Sequence, residues 1–504
     1  MRWTADTVVV GAGSAGCVIA ARATEDSSRE VLLVEAGPDY PERLPADINN
    51  GRRNSFRDHD WGLYHRPTDD QSLFVFPRGR VVGGSSAVNT CIAIRGQRYD
   101  YDEWAALGLD GWSYDECLPA FKRLESDQDF GDPWHGTDGP IPIRRHPAEE
   151  WTIWQSAFVD AARDQGFADC ADHSEPESLG VGAHAMNKID GERMSAARCY
   201  LTPSVRKRPN LQVLSRALAR RVLFQHGRVV GLEVEVDGEV GEVRSPRVIL
   251  SAGAIHTPGI LLRSGIGPRA EVARLQVELV ADVPAVGERL LDHPGAALIL
   301  MPKRPIVDLD DPVIQTVARY TAAGSEYPGD MQLQPGSVFT MPDGSFPMVS
   351  LMCCVGKPKG TGTIRFRSAD PHAPPHIDSK FLLHPEDHRM AVEAMELLWL
   401  LATSKHMRDL AYFFWPGERV FHSRESIGEW IFKSCGSGYH PSGTVPMGVN
   451  GTGAVDARGR VRGVAGLLVA DASIMPTIPS ANTNLATLMI GERFGAWLRE
   501  GELD

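Results

Sequence analysis

The chain has 504 residues, of which 42% are hydrophobic and 23% charged, and its formal net charge is −13. This length exceeds what one hydrophobic core usually serves, so two domains are expected. The acidic balance argues against nucleic acid or an anionic membrane as the main partner, and without an apolar run of about 18 residues no membrane span is expected. The first strand leaves no room for a signal peptide, and the eight cysteines are scattered. A cytoplasmic location is therefore expected.

The first predicted unit is a strand, a glycine-rich turn and a helix. The apolar run Thr7–Val10 leads directly into the pattern Gly11-x-Gly13-x-x-Gly16. In such a pattern the first glycine permits a tight turn, the second lets a pyrophosphate approach the backbone, and the third lets the helix pack closely. The N–H groups at the helix N-terminus would complete a phosphate site.

A second apolar run and an acid complete this unit. The run Val31–Val34 ends at Glu35, which lies 24 residues after Gly11. This offset is close to the roughly 20 residues at which a carboxylate binds a ribose hydroxyl. We therefore predict a site for an adenine dinucleotide. The alternative is a glycine turn with a purely structural role.

Two further segments have the pattern of ligand-binding turns. The pair Gly83-Gly84, followed by two serines, predicts a turn that opens a helix and places backbone donors near a phosphate or flavin. An ordinary loop with a helix N-cap explains that segment equally well. Residues 248–253 have the pattern of a buried strand ending in small residues, and Thr257-Pro258 is expected to begin a helix.

The middle and the C-terminal part of the remaining chain have different sequence patterns. Residues 297–430 hold short strands, several prolines and a helix with an apolar face over residues 386–402, which is typical of the wall of a substrate domain. Residues 464–472 predict a buried strand ending in an acid, and residues 483–498 predict a helix. The dinucleotide domain is therefore expected to consist of separated pieces, with a substrate domain inserted between them.

Several of these segments occur together in an order that resembles the glucose–methanol–choline (GMC) family of flavin oxidoreductases. In chain order they are the Gly11 unit with Glu35-Ala36-Gly37, GRVVGGSSAVN (79–89), SAGAIHTPGILLRSGIG (251–267), VGERLLDHP (286–294), YHPSGTVPMG (439–448) and VADASIMPTIPSANTNLATLMIGER (469–493). The resemblance spans most of the chain and is weakest over residues 296–430. It implies FAD as cofactor and the oxidation of an alcohol by hydride transfer to flavin N5.

The resemblance also implies the fold. We expect an α/β protein with a Rossmann-like FAD-binding domain and an inserted α+β substrate-binding domain, in which helices flank an antiparallel sheet. The FAD-binding domain is predicted to comprise residues 1–150, 190–295 and 435–504. The substrate-binding domain is predicted to comprise residues 151–189 and 296–434.

Two side chains are predicted to be catalytic. His440 lies in a loop rich in Gly and Pro and, by resemblance, is the catalytic histidine of the family; a neutral imidazole with a pKa near ~6.5 is suited to accept a hydroxyl proton. Asn482 falls on the second catalytic position, where an amide offers both a donor and an acceptor. Asn482 could instead, or in addition, be a helix N-cap. The pair His293-Pro294 is expected to be structural.

Contacts to FAD are expected, by the same resemblance, from several parts of the chain. They are Gly11, Gly13, Ser14, Gly16 and Glu35 for the ADP half, Ala219 for the adenine, Val82, Gly84, Asn89 and Thr90 beside the isoalloxazine, Asp471 and Ala472 near the ribityl chain and pyrophosphate, and Asn482. Val88 stands where some relatives carry a histidine bonded to the flavin, so the FAD is expected to be non-covalent. No set of metal ligands is predicted.

The predicted substrate is a neutral primary alcohol, which is oxidised to an aldehyde while oxygen or another electron acceptor reoxidises the flavin. No counterpart of the glutamate that pairs with a quaternary ammonium is found near residues 317–320, and Gly438 leaves space beside His440. Choline is therefore not expected, and an aryl, furanic or sugar-like alcohol is favoured. The alternatives are a non-redox enzyme like the hydroxynitrile lyases of this family, a flavin scaffold without catalysis, and a nicotinamide enzyme. The sequence does not predict the oligomeric state.

Overall fold

The computed structural model describes residues 1–340 and 347–503, and a parallel sheet lies at its centre. The strands of this nucleotide sheet, in spatial order, are Leu211–Leu214, Val31–Val34, Thr7–Val10, Val248–Leu250 and Leu467–Val469. All neighbours are paired in parallel. The last four are buried along their whole length and are apolar except for Thr7, as a parallel sheet covered on both faces requires.

The order of the strands creates a crevice at one edge of the nucleotide sheet. From Thr7–Val10 the chain first builds the sheet toward Val31–Val34 and then builds it in the other direction with Val248–Leu250. The strand order therefore reverses beside Thr7–Val10. In open α/β sheets, ligands bind outside the carboxyl ends of the strands at such a reversal.

Two helices that cover the nucleotide sheet are held together at their N-terminal ends. The helices Ser14–Ala23 and Thr483–Arg499 approach so closely that a Cβ atom on Gly491 would lie 2.8 Å from a valine side chain of the other helix. Ser14 Oγ donates a hydrogen bond of 2.8 Å to Asn484 Oδ1. The glycine turn is thereby fastened to the start of the C-terminal helix.

A second sheet, which we call the cavity sheet, faces the crevice. Its strands, in spatial order, are Ala411–Trp415, Pro294–Pro302, Pro347–Val355, Met331–Thr340, Thr316–Tyr320 and Gly180–Ala183, and Gly436–Ser437 also pairs with the second of them. All its pairings are antiparallel. One face packs an apolar core against the helices Ile153–Asp164 and Pro385–Ala402. The opposite face lines a cavity.

A third sheet brings the predicted adenine contact to the nucleotide sheet. Its strands are Arg2–Thr4, Glu239–Arg244, Arg228–Val236 and Ala217–Gln225. The N–H of Ala217 donates a hydrogen bond of 2.8 Å to the carbonyl of Glu35. The other described strands are Tyr64–Arg66, Phe74–Val75, Glu125–Asp127, Ile141–Arg145, Ala185–Met186, Lys188–Ile189, Glu192–Arg193, Ile266–Gly267, Ala281–Asp282, Thr363–Arg365 and His376–Asp378. The other described α-helices are Ala46–Asn49, Arg98–Ala106, Tyr114–Leu124, Ala196–Tyr200, Pro203–Arg206, Gly253–Arg263, Arg269–Arg274 and Arg424–Phe432.

The predicted fold class is confirmed, since the structure combines a parallel nucleotide sheet with an antiparallel sheet flanked by helices. The helix predicted over residues 386–402 is Pro385–Ala402, and the helix predicted over residues 483–498 is Thr483–Arg499. The turn after Gly83 opens only a short 3₁₀ helix, Gly84–Ala87. None of the described helices is long and apolar enough to cross a membrane.

The helix predicted to begin at Thr257 was placed wrongly at its start. It begins at Gly253, and Pro258 lies inside it. A proline has no N–H to donate to the carbonyl four residues earlier, here that of Ala254. Thr444 Oγ1 donates to this carbonyl instead, at 2.6 Å. The tertiary contact satisfies the carbonyl, so the helix continues through the proline.

A buried cluster of charges fastens residues 125–145 to the loop 169–174. It consists of three carboxylates and three cationic side chains, which are Glu125, Asp127, Asp172, Arg95, Arg145 and His135. Burial acts to lower the pKa of His135, but hydrogen bonds to the carboxylates raise it to about 11. The histidine is therefore a cation at neutral pH. Because the cations already balance the carboxylates, the cluster is an ion network that needs no metal.

Candidate active site

One large cavity, with a volume of about 1310 Å³, lies between the carboxyl edge of the nucleotide sheet and the cavity sheet. It begins beside Glu35 and Ala219, passes Gly13 and Gly84, and ends at His440. These ends join the predicted adenine region to the predicted catalytic residues. The cavity can therefore hold a dinucleotide together with a small molecule at its far end.

The three glycines of the first turn have three different environments. Gly11 has a φ angle of +100°, and a Cβ atom there would lie 2.4 Å from the carbonyl oxygen of Ser251. A Cβ atom on Gly16 would lie 1.9 Å from the carbonyl oxygen of Gly11. At Gly13 the nearest atoms to such a Cβ are 4.0 Å away. Gly11 and Gly16 therefore allow close packing of the protein itself, whereas the free side of Gly13 faces the cavity.

A second glycine segment approaches the first one. Gly84 has a φ angle of +51°, and a Cβ atom on it would lie 2.7 Å from Cα of Gly13. The following residues Val88, Asn89 and Thr90 line the cavity. Asn89 Oδ1 accepts a hydrogen bond of 3.0 Å from the N–H of Cys91, which orients its amide.

Glu35 holds the glycine turn through its carboxylate. One oxygen accepts a hydrogen bond of 2.9 Å from the N–H of Ala12, and the other accepts one of 2.8 Å from the N–H of Gly37. Burial raises the pKa of Glu35 to about 7, against the effect of these donors. Each oxygen retains a second lone pair, so the carboxylate can still accept from a ribose hydroxyl.

Asp471 binds the protein rather than standing free in the cavity. Oδ2 accepts hydrogen bonds from the N–H of Gly253 at 2.8 Å and from Thr257 Oγ1 at 2.6 Å, and Oδ1 accepts from the N–H of Ser473 at 2.8 Å. Burial raises its pKa above the ordinary value. The carboxylate therefore joins the end of the strand Leu467–Val469 to the helix start at Gly253.

Most of the predicted site residues meet in this cavity. Those that line it are Gly11, Gly13, Ser14, Glu35, Gly84, Asn89, Thr90, Ala219, His440, Asp471, Ala472 and Asn482. Gly16 and Val82 are buried behind its wall. Ser14 directs its hydroxyl to Asn484, so its contact with a ligand would come from its backbone.

His440 lies at the inner end of the cavity between two polar partners. Its Nε2 is 3.0 Å from Nδ2 of Asn482, and its Nδ1 is 2.9 Å from Nδ1 of His293. The N–H of His440 donates a hydrogen bond of 2.8 Å to Oδ1 of Asp292, which also accepts from the N–H of His293 at 2.8 Å. Asp292 thus holds the backbone of both histidines in place.

The hydrogen bonds determine which ring nitrogen of His440 carries the proton. The carbonyl of Pro479 lies 2.9 Å from Nε2 of His293 and can only accept, so His293 is protonated at Nε2. Neutral His293 therefore accepts at Nδ1, and His440 must donate from its own Nδ1. This arrangement leaves the lone pair of His440 on Nε2, the nitrogen that faces Asn482 in the cavity.

The pKa shifts keep both histidines neutral. Burial lowers the pKa of His293 to about 4. Burial, together with His293 and Arg78, lowers the pKa of His440 well below its ordinary value of 6.5. At neutral pH, Nε2 of His440 is thus an unprotonated acceptor.

His293 is the functional contact that the sequence interpretation missed. It was expected to be structural, yet its Nδ1 accepts the hydrogen bond that selects the tautomer of His440. The two residues are 147 positions apart in the chain, and no local pattern joins them. Their strands meet only when Gly436–Ser437 pairs with the start of Pro294–Pro302.

Asn482 occupies the N-cap position of the helix Thr483–Arg499, but its side chain makes no capping hydrogen bond. The amide nitrogen instead faces His440. Its Oδ1 is buried without a partner among the described residues. An unpartnered buried acceptor is costly in a protein interior, so this oxygen is consistent with a bound ligand.

The turn that precedes Asn482 is held by several hydrogen bonds. Ile478 O accepts a hydrogen bond of 3.1 Å from Lys357 Nζ, and Ser480 donates from N and from Oγ to Asp100 Oδ2 at 2.9 and 2.7 Å. Lys357 also lies 3.0 Å from Asp100 Oδ1. Burial alone would lower the pKa of Lys357, but Asp100 and the neighbouring Glu103 raise it above its ordinary value. A buried ion pair therefore positions the turn that leads into Asn482.

Comparisons with known proteins agree with this site. The family models described as GMC oxidoreductase match residues 5–295 and 358–491. The chain belongs to the GMC oxidoreductase family. Members of this family are FAD-dependent, so the chain is a flavin oxidoreductase that acts on alcohols, and FAD is its cofactor.

Three similar proteins cover nearly the whole chain. A 5-(hydroxymethyl)furfural oxidase of Methylovorus sp. (strain MP688) is 35% identical, with 97% of each chain aligned. An oxygen-dependent choline dehydrogenase of Brucella anthropi is 33% identical over 97% of this chain and 94% of its own. The crystal structure of a pyridoxine 4-oxidase from Mesorbium loti superposes with a TM-score of 0.92 at 29% identity, covering 98% of this chain and 99% of that one.

The residues of the cavity fit FAD. Gly13 presents open backbone where a pyrophosphate would lie, Glu35 retains lone pairs for a ribose, and Asn482 has a buried acceptor without a partner. At Val88, which lines the cavity, the side chain has no nucleophile for a bond to the flavin. These features are consistent with a cofactor held by non-covalent contacts.

Replacing Gly84 by alanine should weaken FAD binding. The added Cβ would stand 2.7 Å from Gly13 Cα at a φ angle of +51°, and such strain costs about 1–3 kcal/mol, so affinity should fall about tenfold or more. The measurement is titration of apoprotein with FAD, followed by flavin fluorescence. Gly417→Ala is the control, because its φ angle is −69° and its added Cβ meets no atom within 4 Å. Equal affinity in the two variants would contradict the assignment of Gly84 to the cofactor site.

Proposed function

We propose that this enzyme oxidises a neutral primary alcohol to an aldehyde, with His440 as the base that takes the hydroxyl proton. The observation that carries this proposal is the tautomer of His440, whose unprotonated Nε2 faces the cavity beside Asn482. When bound, FAD supplies the hydride acceptor at flavin N5. Oxygen or another electron acceptor then reoxidises the cofactor.

The two side chains have complementary roles in this proposal. The alcohol hydroxyl enters between His440 and Asn482 and replaces their direct contact of 3.0 Å. Its proton is donated to Nε2 of His440, and its oxygen accepts from Nδ2 of Asn482. A positioned histidine base accelerates such a proton transfer by about 10²–10⁴-fold. Asp292 lies beside both histidines, and its negative charge would stabilise the imidazolium that forms.

The substrate is proposed to carry no positive charge. The cavity-lining residues of the strands Pro294–Pro302, Met331–Thr340 and Pro347–Val355 include glutamines, serine, methionine and cysteine, and no carboxylate among those described. A quaternary ammonium would need an anionic or aromatic partner there. The related furfural and pyridoxine oxidases have names that refer to uncharged or aromatic alcohols, which supports an aryl or furanic alcohol over choline.

We also propose the division into domains that the sequence predicted. The nucleotide sheet and the third sheet use strands from residues 1–150, 190–295 and 435–504, and most strands of the cavity sheet come from residues 151–189 and 296–434. Residues 341–346 of the second set lie outside the described residues. Limited proteolysis would test these boundaries.

A non-redox reaction on the same fold is the second candidate function. It is favoured only by the observation that the His440–Asn482 pair could also move a cyanohydrin proton. Anaerobic mixing with alcohols separates the two. Loss of the 450-nm absorbance of oxidised flavin supports oxidation, whereas release of aldehyde and cyanide from a cyanohydrin at unchanged absorbance supports the lyase.

Replacing His440 by alanine should leave FAD bound and slow the reductive half-reaction by roughly two orders of magnitude or more, since the base is lost. Anaerobic stopped-flow measurement of flavin reduction by a benzylic alcohol checks this. The exposed His422 offers a matched control, and His422→Ala should behave as wild type. Undiminished reduction in His440→Ala would remove this histidine from the mechanism.

The rate of flavin reduction should stay constant from about pH 9 to pH 7 and fall only in acid. The lowered pKa of His440 keeps Nε2 free of a proton until the pH drops well below 6.5, and protonation there abolishes the base. The pH profile of the limiting reduction rate provides the test. A rate that already declines with an apparent pKa above 6.5 would contradict a buried neutral base.

Acid precipitation should release all the flavin into the supernatant, because Val88 has no nucleophile for a covalent bond. Absorbance spectra of the supernatant and of the redissolved pellet measure the two fractions. Yellow colour that stays with the pellet after washing would overturn the non-covalent assignment.

A further inference from the structure

Two glutamines lie side by side on the face of the cavity sheet that lines the cavity. Gln332 and Gln334 occupy alternate positions of the strand Met331–Thr340, so both side chains point to the same face. Both line the cavity, whereas Met331 and Leu333 between and beside them are buried in the apolar core of the other face. No step of the proposed oxidation uses either amide.

The hydrogen bonds determine how both amides are turned. The carbonyl of Ser480 lies 2.9 Å from Nε2 of Gln332, and because a carbonyl only accepts, Gln332 must present its NH₂ group there. Its Oε1 therefore faces Gln334, which donates from Nε2 at 2.9 Å. The Oε1 of Gln334 is left with no partner among the described residues, and it is an acceptor on the cavity face.

This series of hydrogen bonds begins at Ser480, one residue after the carbonyl that determines the tautomer of His440. The carbonyl of Pro479 selects the tautomer of His293 and thereby of His440, and the next carbonyl, that of Ser480, orients Gln332 and Gln334. One turn thus orients two acceptors in the same cavity, Nε2 of His440 and Oε1 of Gln334.

The strand register gives the spacing along the sheet between the row next to His293 and the row of Gln334. Gly295, which directly follows the His293-Pro294 pair, is paired with Cys354, and Cys354 is paired with Gln332. Two residues farther along these strands, Ala297 is paired with Met352, and Met352 is paired with Gln334. Two residues along a strand correspond to about 7 Å.

The row of Gln334 is otherwise apolar. Ala297 and Met352 lie across the sheet from it, and all three residues line the cavity. An apolar part of a substrate can therefore pack on Ala297 and Met352 while its far end reaches the amide oxygen. Gln334 is half-buried and its Oε1 has no donor among the described residues, so a ligand that donates would gain a hydrogen bond at this position.

We infer that Gln334 determines substrate specificity by accepting a hydrogen bond from a second donor group, a hydroxyl or an N–H, at the end of the alcohol opposite to the reacting hydroxymethyl group. Gln332 is the positioning residue that turns this amide. The substrate class is an alcohol in which an apolar spacer, on the order of 7 Å, separates the hydroxymethyl group from that donor. This inference rests on the proposed alcohol oxidation.

The test compares two probes that differ in the second donor. Holoenzyme is mixed anaerobically with 1,4-benzenedimethanol or with 4-methylbenzyl alcohol, and the apparent second-order rate of flavin reduction is measured for each. In wild type, the apparent second-order rate should be more than twofold higher for the diol than for the monoalcohol. A factor of two alone would follow from the two equivalent hydroxymethyl groups of the diol. Gln334→Met should lower the rate for the diol by about 3- to 10-fold, the loss of one neutral hydrogen bond, and leave the rate for the monoalcohol nearly unchanged.

Two further variants distinguish a loss of substrate recognition from a general loss of activity. Gln334→Glu keeps acceptor oxygens but, as a carboxylate, loses the donor to Oε1 of Gln332, so it should retain only part of the preference for the diol. Gln332→Met leaves the Gln334 amide free to turn and should reduce that preference, with the loss expressed in the concentration dependence rather than in the limiting rate. Gln225→Met makes the same chemical change at an exposed position outside the cavity and should keep the ratio of wild type.

The outcomes distinguish the inference from the proposed function. Reduction of wild-type flavin by both alcohols, with the same ratio in wild type and in Gln334→Met, would overturn the role of Gln334 and leave the oxidation intact. Absence of reduction by any primary alcohol would overturn the proposed function, and the inference with it. A ratio that collapses in Gln334→Met and is partly retained in Gln334→Glu supports the inference.

Discussion

The directions of two neighbouring carbonyl groups, those of Pro479 and Ser480, determine the orientation of four side chains at one end of the cavity. A carbonyl oxygen accepts and never donates, so each group forces the orientation of the side chain that reaches it. From Pro479 the consequence passes through His293 to the lone pair on His440. From Ser480 it passes through Gln332 to Gln334. The tautomers of the two histidines and the amide orientations of the two glutamines are thereby determined.

Such a turn can orient other side chains only if its own backbone is held in place, and buried charges bind this backbone. Lys357 and Asp100 form a buried ion pair that binds Ile478 and Ser480 on either side of Pro479. Burying two charges is expensive, and a well-packed apolar pair would often be as stable. Removing one partner, by contrast, typically costs about 3–5 kcal/mol. An ion pair at this place is therefore better explained by the directional contacts that it makes with the backbone than by any gain in overall stability.

Local patterns in the sequence predicted the parts of the structure whose causes are local. The run Thr7–Val10 and the glycines after it specify a strand, a turn and a helix because each residue acts within a few positions of itself. The apolar spacing of Pro385–Ala402 likewise specifies a helix face. The start of the helix at Gly253 was misplaced because a distant hydroxyl, that of Thr444, satisfies the carbonyl opposite Pro258.

The candidate site likewise has features that local motifs indicated and contacts that depend on distant parts of the chain. The motif around His440 indicated a histidine base, and the glycine unit indicated a dinucleotide. The contact between His293 and His440, and the turned amides of Gln332 and Gln334, depend on pairings between strands that lie far apart in the chain. Nothing in a single sequence records those pairings, so no spacing rule could have found them.

The two halves of the cavity also differ in how freely their residues can change. On the cofactor side, Gly11 and Gly16 leave no space for even one added carbon, and Asp471 is committed to three hydrogen bonds within the protein. On the substrate side, side chains alternate between the cavity and the apolar core, so Gln334 can be exchanged without disturbing Leu333 behind it. Residues on the cavity face of the antiparallel sheet can therefore change while the cofactor side stays the same, because their side chains point away from the core that supports the sheet.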